Sequence, residues 1–309
     1  MITIYLDHNV IDRFDKGETA YLDPLLSNNG VLLIISLASV DEIFRGGDEE
    51  RSHRNIESLK KLGVRYIYTA ADESHMSISP LDYENMHQKW SKIQSEVGPL
   101  NDSHFRLIST LFRGCTPQTI QDMDQAVEDQ IAWIKNNYGK FPGAQTQMGK
   151  VLCDPLEYKE LFRQLLHLRA LLPFTPKEIN NIPEKSVFWT CVSRLKNDSD
   201  PNRQLIGRFI EDEIENAKTI DDQFTIVFFW LNLFRYHPDD LTQKKRVRSN
   251  FSDTNHATNA IACDGMLTLD KKFAKRAVAA MGALKLKTEV STDANELLHR
   301  ISALSCHSQ

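Results

Sequence analysis

The stretch VLLIISLASVDEIFRGG, residues 31–47, contains a strand and the helix that follows it. Its first six residues, VLLIIS, are apolar up to the final serine, as expected of a strand that is buried on both faces of a sheet. The remainder predicts a short helix that ends at two consecutive glycines. An Asn-Asn-Gly sequence at residues 28–30 predicts a turn before the strand. A fully buried strand that leads into a helix is typical of a parallel α/β sheet.

The same alternation extends in both directions from this stretch. Upstream, residues 2–6 predict a compact apolar strand. Downstream, the sequence predicts a charged helix at 48–63 and a third strand at 64–68. Alternation returns after residue 250, where the sequence predicts a helix at 252–264, a strand at 265–269, a helix at 271–282 and a strand at 283–289.

The middle of the chain, residues 71–244, lacks this alternation and is mostly helical in its pattern. A nearly all-apolar segment at 224–234 predicts a buried helix. We therefore predict one discontinuous α/β domain, residues 1–70 and 245–309, interrupted by a helical insertion at residues 71–244. The alternative, two sequential domains, leaves each end of the chain with too few strands for a sheet.

The charge distribution differs between these two parts. The whole chain has a net charge of −5, and residues 71–244 carry 19 Lys and Arg against 25 Asp and Glu. A surface that grips phosphates should be basic. We therefore expect the insertion to control access to a site or to contact a protein partner.

The composition favours a cytoplasmic protein without a membrane segment. About 41% of the residues are hydrophobic, which suits a soluble globular fold, and no stretch of about 18 apolar residues occurs. The first residues lack the pattern of a secretory signal. The cysteines are odd in number, scattered, and form no CxxC pair, as expected of reduced thiols.

Four acidic residues are predicted to meet at one edge of the sheet. Asp7 and Asp270 end two predicted strands, and Glu42 lies in the first turns of the helix that leaves a third. Asp253 is expected to open the helix that runs back to the strand before Asp270. The carboxyl ends of parallel strands form the ligand-binding edge of such sheets. Taken singly, each of these acids could instead be a charge at a strand end, a solvated helix residue or a helix cap.

Clustered carboxylates require a compensating charge. Two like charges about 4 Å apart repel by roughly 4 kcal/mol at an effective dielectric constant near 20. Such a cluster needs raised pKa values or a cation. An all-oxygen acidic set suits Mg²⁺ or Mn²⁺, and these ions commonly serve phosphoryl chemistry.

Three segments carry these acids: YLDHNVIDRF at residues 5–14, ISLASVDEIFRG at 35–46, and FSDTNHATNAIACDGMLTLDKKF at 251–273. They resemble the acidic motifs of PIN-domain nucleases. The third segment is the most specific, because of its Asp-x-x-His spacing and its LTLD sequence. The resemblance covers residues 1–70 and 245–309 and leaves the insertion unmatched.

The resemblance implies a Rossmann-like sheet of about five parallel strands and an Mg²⁺- or Mn²⁺-dependent endonuclease, most often acting on RNA. It implies that the metal-binding and catalytic residues are Asp7, Glu42, Asp253 and Asp270. Asn9 matches a polar residue that supports the first aspartate. His256, one turn beyond Asp253, is expected to touch a substrate phosphate or the hydration shell of the ion, or to be a helix-surface histidine.

Four basic residues follow Asp270, the last acid of the predicted site: Lys271, Lys272, Lys275 and Arg276. They are expected either to bind the phosphate backbone of a nucleic acid or to form a solvated helix face. A DNA nuclease with the same site is the close alternative to an RNA nuclease. A phosphatase of the haloacid-dehalogenase type would use Asp7 as nucleophile, but it requires an acid where Asn9 stands. A non-catalytic binding module is the third alternative, and four retained acids argue against it.

Overall fold

A computed structural model of the chain describes residues 1–45, 47–69, 76–88, 90–91, 117–137, 171–238 and 244–306. Within these residues a six-stranded sheet is flanked by helices, which confirms the predicted α/β class. The arrangement specific to PIN domains stays a prediction. No described helix combines the length and the apolar character that crossing a membrane requires.

The first part of the chain alternates strands and helices, as predicted. Its elements are β1 (Ile2–Leu6), α1 (His8–Asp15), a 3-10 helix (Ala20–Leu22), α2 (Asp23–Leu26), β2 (Val31–Ile35), α3 (Leu37–Arg45), α4 (Glu49–Leu62), β3 (Arg65–Thr69) and β4 (Met76–Pro80).

The first and last residues of α4 are set by local interactions. The Asp48 carboxylate accepts a hydrogen bond from the backbone N–H of Arg51 (2.9 Å), and Gly63 ends the helix with a φ of 63°. β4 was not predicted, because a short, partly polar edge strand that ends in proline gives a weak strand signal.

Helices make up the described parts of the predicted insertion after β4. They are α5 (Pro117–Asn137), α6 (Pro176–Ile179), a 3-10 helix (Glu184–Ser186), α7 (Val187–Lys196), α8 (Pro201–Asn216) and α9 (Ile220–Leu233). The prediction of a buried helix at 224–234 is confirmed by α9. Phe224 and Phe228 are fully buried, and Phe229 is 40% exposed.

The last part of the chain returns to the sheet. Its elements are α10 (Lys244–Ala260), β5 (Gly265–Leu267), α11 (Lys271–Ala283), β6 (Glu289–Ser291) and α12 (Ala294–Cys306). Two predicted boundaries are wrong. α10 begins well before Ser252, so Asp253 lies inside the helix and does not open it. The last strand, predicted at 283–289, begins only at Glu289, because the residues before it form the end of α11 and a turn, in which Lys285 has a φ of 56° and the Leu286 N–H donates to the Met281 carbonyl (2.9 Å).

The strands are arranged in the order β4-β3-β2-β1-β5-β6. All neighbours are parallel except β3 and β4, so the predicted parallel strands are joined by one antiparallel edge strand. The chain adds β2 and β3 on one side of β1 and then returns to add β5 and β6 on the other. The crevice between the carboxyl ends of β1 and β5 is therefore the switch point where ligands bind in open α/β sheets.

Alternate strand residues point to the two faces of the sheet and build two hydrophobic cores. Ile4 and Leu6 belong to the core beneath α1–α4 and α12, whereas Tyr5 belongs to the core beneath α5–α11. Helices of the predicted insertion thus pack on one face of the sheet together with α10 and α11. The division into domains stays a prediction.

Candidate metal centre

The candidate site lies in the crevice between β1 and β5. Asp7 directly follows β1, and its N–H donates to the carbonyl of Leu267, the last residue of β5 (3.1 Å). Helices α3 and α10 pack against each other at the same edge. They bring Glu42 and His256 to Asp7, so residues from three distant parts of the sequence meet there.

Asp7 is buried, with an exposed fraction of 4%. Its Oδ2 accepts hydrogen bonds from the Thr268 hydroxyl (2.6 Å) and from the Asn9 side-chain amide (2.5 Å). Asn9 is held in turn, because its Oδ1 accepts a bond from the backbone N–H of Leu269 (2.9 Å). These bonds fix the carboxylate and leave Oδ1 facing His256, whose Nε2 is 3.7 Å away.

Glu42 projects from α3 and is partly buried. Its Oε1 accepts a hydrogen bond from the Ser252 hydroxyl of α10 and lies 3.4 Å from Nη2 of Arg45. Its Oε2 lies 3.5 Å from Nε2 of His256. As in Asp7, one carboxylate oxygen is held by the protein and the other faces the imidazole.

His256 is almost fully buried, with an exposed fraction of 1%. Its Nδ1 is hydrogen-bonded to the Tyr5 hydroxyl (2.8 Å), which is bonded to the Ser36 hydroxyl (2.7 Å). Its Nε2 is buried and has no hydrogen-bond partner. The structure therefore places this side chain in the interior, between the two acids, and not on the helix surface.

The three residues fit one divalent ion. Asp7, Glu42 and His256 each offer a ligand atom, and these atoms lie within 4.8 Å of one another. Bonds of about 2.1 Å from an ion place its ligand atoms roughly 3 to 4 Å apart, so the widest separation in the cluster must shorten slightly when an ion binds. The buried, unpaired Nε2 supports the fit, since it lacks the partner that a buried polar atom normally has.

The pKa shifts of the three residues favour a positive charge between the two acids. Burial raises the pKa of Asp7, although His256 and the Thr268 hydroxyl oppose this. Burial also acts to raise the pKa of Glu42, but His256, His8 and Ser252 outweigh it and lower that pKa to about 2. Burial alone would lower the pKa of His256, yet Tyr5, Glu42 and Asp7 raise it well above its usual value. Without a metal, a proton on His256 supplies the cation that the two carboxylates require.

Asp253, a predicted metal ligand, has a different partner. Its Oδ2 accepts a hydrogen bond from Nη2 of Arg276 on α11 (3.1 Å). Arg276 is fully buried, donates from Nη1 to the His237 carbonyl (2.8 Å) and lies 5.6 Å from the centre of the Phe228 ring. The prediction that Arg276 binds substrate phosphate is wrong, because its guanidinium group neutralises a carboxylate inside the protein.

Asp270 caps α11. Its Oδ1 accepts hydrogen bonds from the backbone N–H groups of Lys272 (2.8 Å) and Phe273 (2.9 Å), so this acid has the helix-cap role that its position before a helix also allows. Among the described side chains, the group close enough to share an ion contains neither Asp253 nor Asp270. Lys271, Lys272 and Lys275 are exposed, as binding to a phosphate backbone requires.

Sequence reasoning missed four residues that organise this centre: Tyr5, Ser36, Ser252 and Thr268. Tyr5 had a usable signal, because it precedes Asp7 by two positions and so points to the same side of the strand. Thr268 also had one, since it follows the strand next to that of Asp7. The hydroxyls of Ser36 and Ser252 had none that distinguishes them from ordinary turn or helix residues.

Comparison of the chain with family models, with curated proteins and with solved structures gave no match. The resemblance to PIN-domain nucleases thus rests on the motifs alone.

Proposed function

We propose that this chain is a metal-dependent endonuclease that hydrolyses phosphodiester bonds in RNA, with Mg²⁺ or Mn²⁺ as its cofactor. The observation that carries the proposal is the buried cluster of Asp7, Glu42 and His256 in the crevice where the strand order reverses. The segments around these residues resemble PIN-domain nucleases, which favours phosphodiester hydrolysis over other metal-assisted reactions.

The two acids of the cluster and the residues that hold Asp7 have defined tasks in this proposal. Oδ1 of Asp7 and Oε2 of Glu42 hold the ion, because the other oxygen of each carboxylate is already engaged by the protein. The chemistry that a bound divalent ion supplies is a lowered pKa of water and stabilisation of the charge that develops on the phosphate. Asn9 and Thr268 keep Asp7 in place, so that the site needs little rearrangement when an ion binds.

The exposed lysines of α11 supply the contacts to the substrate. Lys271, Lys272 and Lys275 lie in the first turns of the helix that follows β5, close in sequence to Thr268 and on the same edge of the sheet as Asp7. Lysines at such positions bind the phosphate backbone without reading its sequence.

The test is cleavage of a single-stranded RNA and of a DNA of the same sequence, with Mg²⁺, with Mn²⁺ and with EDTA. We expect metal-dependent cleavage of RNA, and loss of cleavage in Asp7→Asn and Glu42→Gln. Glu57→Gln is the matched control, because Glu57 is a helix residue whose side chain is 43% exposed and pairs with Lys60. Cleavage of DNA alone would support the DNA nuclease, and cleavage that persists in EDTA or in Asp7→Asn would overturn the proposal.

The chemistry of the ends provides a second test. Hydrolysis by an activated water needs no help from the ribose 2′-hydroxyl, so the products should carry 5′-phosphate and 3′-hydroxyl groups. A substrate with a single 2′-deoxy substitution at the cleaved position should still be cut. Products that end in 2′,3′-cyclic phosphate would contradict the mechanism. A phosphate ester retained on Asp7 would instead support the phosphatase alternative.

A further inference from the structure

The position of the His256 imidazole differs from that expected for an all-oxygen metal site. Its Nε2 lies 3.5 Å from Oε2 of Glu42 and 3.7 Å from Oδ1 of Asp7. Both distances exceed the usual 2.7 to 3.2 Å of an N–H···O hydrogen bond. They match instead the separation of two atoms that coordinate the same ion through bonds of about 2.1 Å.

The other face of the ring is held as it is in metal-bound histidines. Such histidines donate their second ring N–H to an oxygen atom, which fixes the ring and leaves the lone pair on the nitrogen that binds the metal. Here Nδ1 meets the Tyr5 hydroxyl at 2.8 Å, and the Tyr5 hydroxyl meets the Ser36 hydroxyl at 2.7 Å. Ser36 also accepts a hydrogen bond from the backbone N–H of Ala38 (3.2 Å).

Both hydroxyls of this chain are buried. Tyr5 is fully buried in the sheet, with its ring in edge contact with the imidazole at 5.8 Å between centres, and Ser36 is also fully buried. Because neither hydroxyl has access to solvent, the ring of His256 is held in an orientation that directs Nε2 toward Asp7 and Glu42.

We propose that His256 binds the ion directly through Nε2, that Tyr5 and Ser36 orient it, and that this nitrogen ligand makes the site prefer a first-row transition ion such as Mn²⁺ over Mg²⁺. Mg²⁺ takes oxygen ligands, whereas imidazole is a ligand of transition ions. The inference rests on the metal dependence in the proposed function and narrows its cofactor. Tyr5 and Ser36 are positioning residues, because they act through His256.

The first test measures binding of Mn²⁺ and of Mg²⁺ by calorimetry, without substrate. The wild-type protein should bind Mn²⁺ more tightly than Mg²⁺. Tyr5→Phe should weaken Mn²⁺ binding by about 10-fold to 100-fold, the usual effect of removing the partner of a metal-bound histidine. Tyr83→Phe is the matched control, since its hydroxyl bonds the carbonyls of Leu59 (3.2 Å) and Val64 (3.3 Å) at the opposite edge of the sheet.

The second test detects the nitrogen ligand itself. Electron spin-echo spectroscopy of the Mn²⁺-loaded protein should show coupling to a nitrogen nucleus that changes when histidine is labelled with ¹⁵N. His256→Asn should abolish this coupling and the preference for Mn²⁺. If His256→Asn destabilises the fold, Tyr5→Phe still tests the proposal, because it removes one hydroxyl only.

The outcomes separate this inference from the proposed function. Metal-dependent cleavage without histidine coupling, and with unchanged Mn²⁺ binding in Tyr5→Phe, would overturn the inference and leave the nuclease proposal standing. If Mn²⁺ showed coupling to the histidine nitrogen but no nucleic acid was cleaved, the inference would stand and the nuclease proposal would be overturned. If the protein bound no Mn²⁺, or bound it equally well in Asp7→Asn, both the inference and the nuclease proposal would be overturned.

Discussion

Replacing Asp253 by asparagine should destabilise the protein, in contrast to the same replacement at Asp7. The substitution removes the carboxylate that faces Arg276, whose side chain is fully buried. Breaking a buried ion pair by removing one partner costs about 3 to 5 kcal/mol, because the remaining charge stays in the interior without compensation.

The structure places the expected cost at the lower end of that range. The Asp253 side chain is 18% exposed, so its charge is not wholly desolvated. Arg276 keeps its bond to the His237 carbonyl (2.8 Å) and its contact with Phe228 (5.6 Å), and asparagine retains one acceptor oxygen. We therefore expect a loss of about 3 kcal/mol in the free energy of unfolding. At about 2 °C per kcal/mol for a chain of this size, the melting temperature should fall by about 6 °C.

The assay is urea-induced unfolding in EDTA at pH 7. Glu50→Gln is the control, because the ion pair of Glu50 with Arg54 (3.4 Å) joins side chains that are 88% and 50% exposed, and its loss should cost less than about 1 kcal/mol. The double variant Asp253→Asn/Arg276→Met should recover much of the lost stability, because it also removes the buried charge. If Asp253→Asn behaved like the control, Arg276 would not depend on this carboxylate, and Asp253 would again be a candidate metal ligand.

Three further predictions concern charge. Asp7→Asn should leave the melting temperature of the metal-free protein unchanged or raised, since burial already disfavours this carboxylate; a fall of more than about 2 °C, equivalent to roughly 1 kcal/mol, would contradict the expected crowding. The folded-state pKa of His256 is raised, so its stabilising contribution is complete below about pH 6.5 and is lost as the pH rises through that higher pKa. The metal-free protein should therefore lose at most about 1.4 kcal/mol per pH unit from this group, and a stability that increases above pH 6.5 would refute the sign. Lys271→Ala and Lys275→Ala should each weaken RNA binding. Each should also reduce the slope of the logarithm of the binding constant against the logarithm of salt concentration by about one. Lys287→Ala, at the opposite edge of the sheet before β6, should change neither quantity.

The part of the fold that could be predicted depends on local pattern. Unbroken apolar runs such as residues 31–35 are typical of inner strands, and the sheet has this one at its centre. The position of Asp7 followed directly, because a residue after a parallel strand lies at the carboxyl edge. Glu42 could be placed in the same way, from its helix.

The rest depends on contacts between distant residues, which no local pattern records. Ser252 and Asp253 resemble a helix start, but α10 already runs through them, so Asp253 points to Arg276 and not to the sheet edge. His256 and a surface histidine look alike in sequence, because the face of α10 that packs on the sheet is set by the whole core. The sequence around Asp270 fits a helix cap and a metal ligand equally well, and only the hydrogen bonds to Lys272 and Phe273 distinguish the two roles.

The most direct test of the central claim is anomalous X-ray diffraction from crystals of the full chain soaked in Mn²⁺, recorded on both sides of the manganese absorption edge. We expect one strong peak about 2.0 to 2.3 Å from Oδ1 of Asp7, Oε2 of Glu42 and Nε2 of His256, and we expect no such peak in Asp7→Asn. A peak held by Asp253 and Asp270, or no peak in the crevice between β1 and β5, would contradict it.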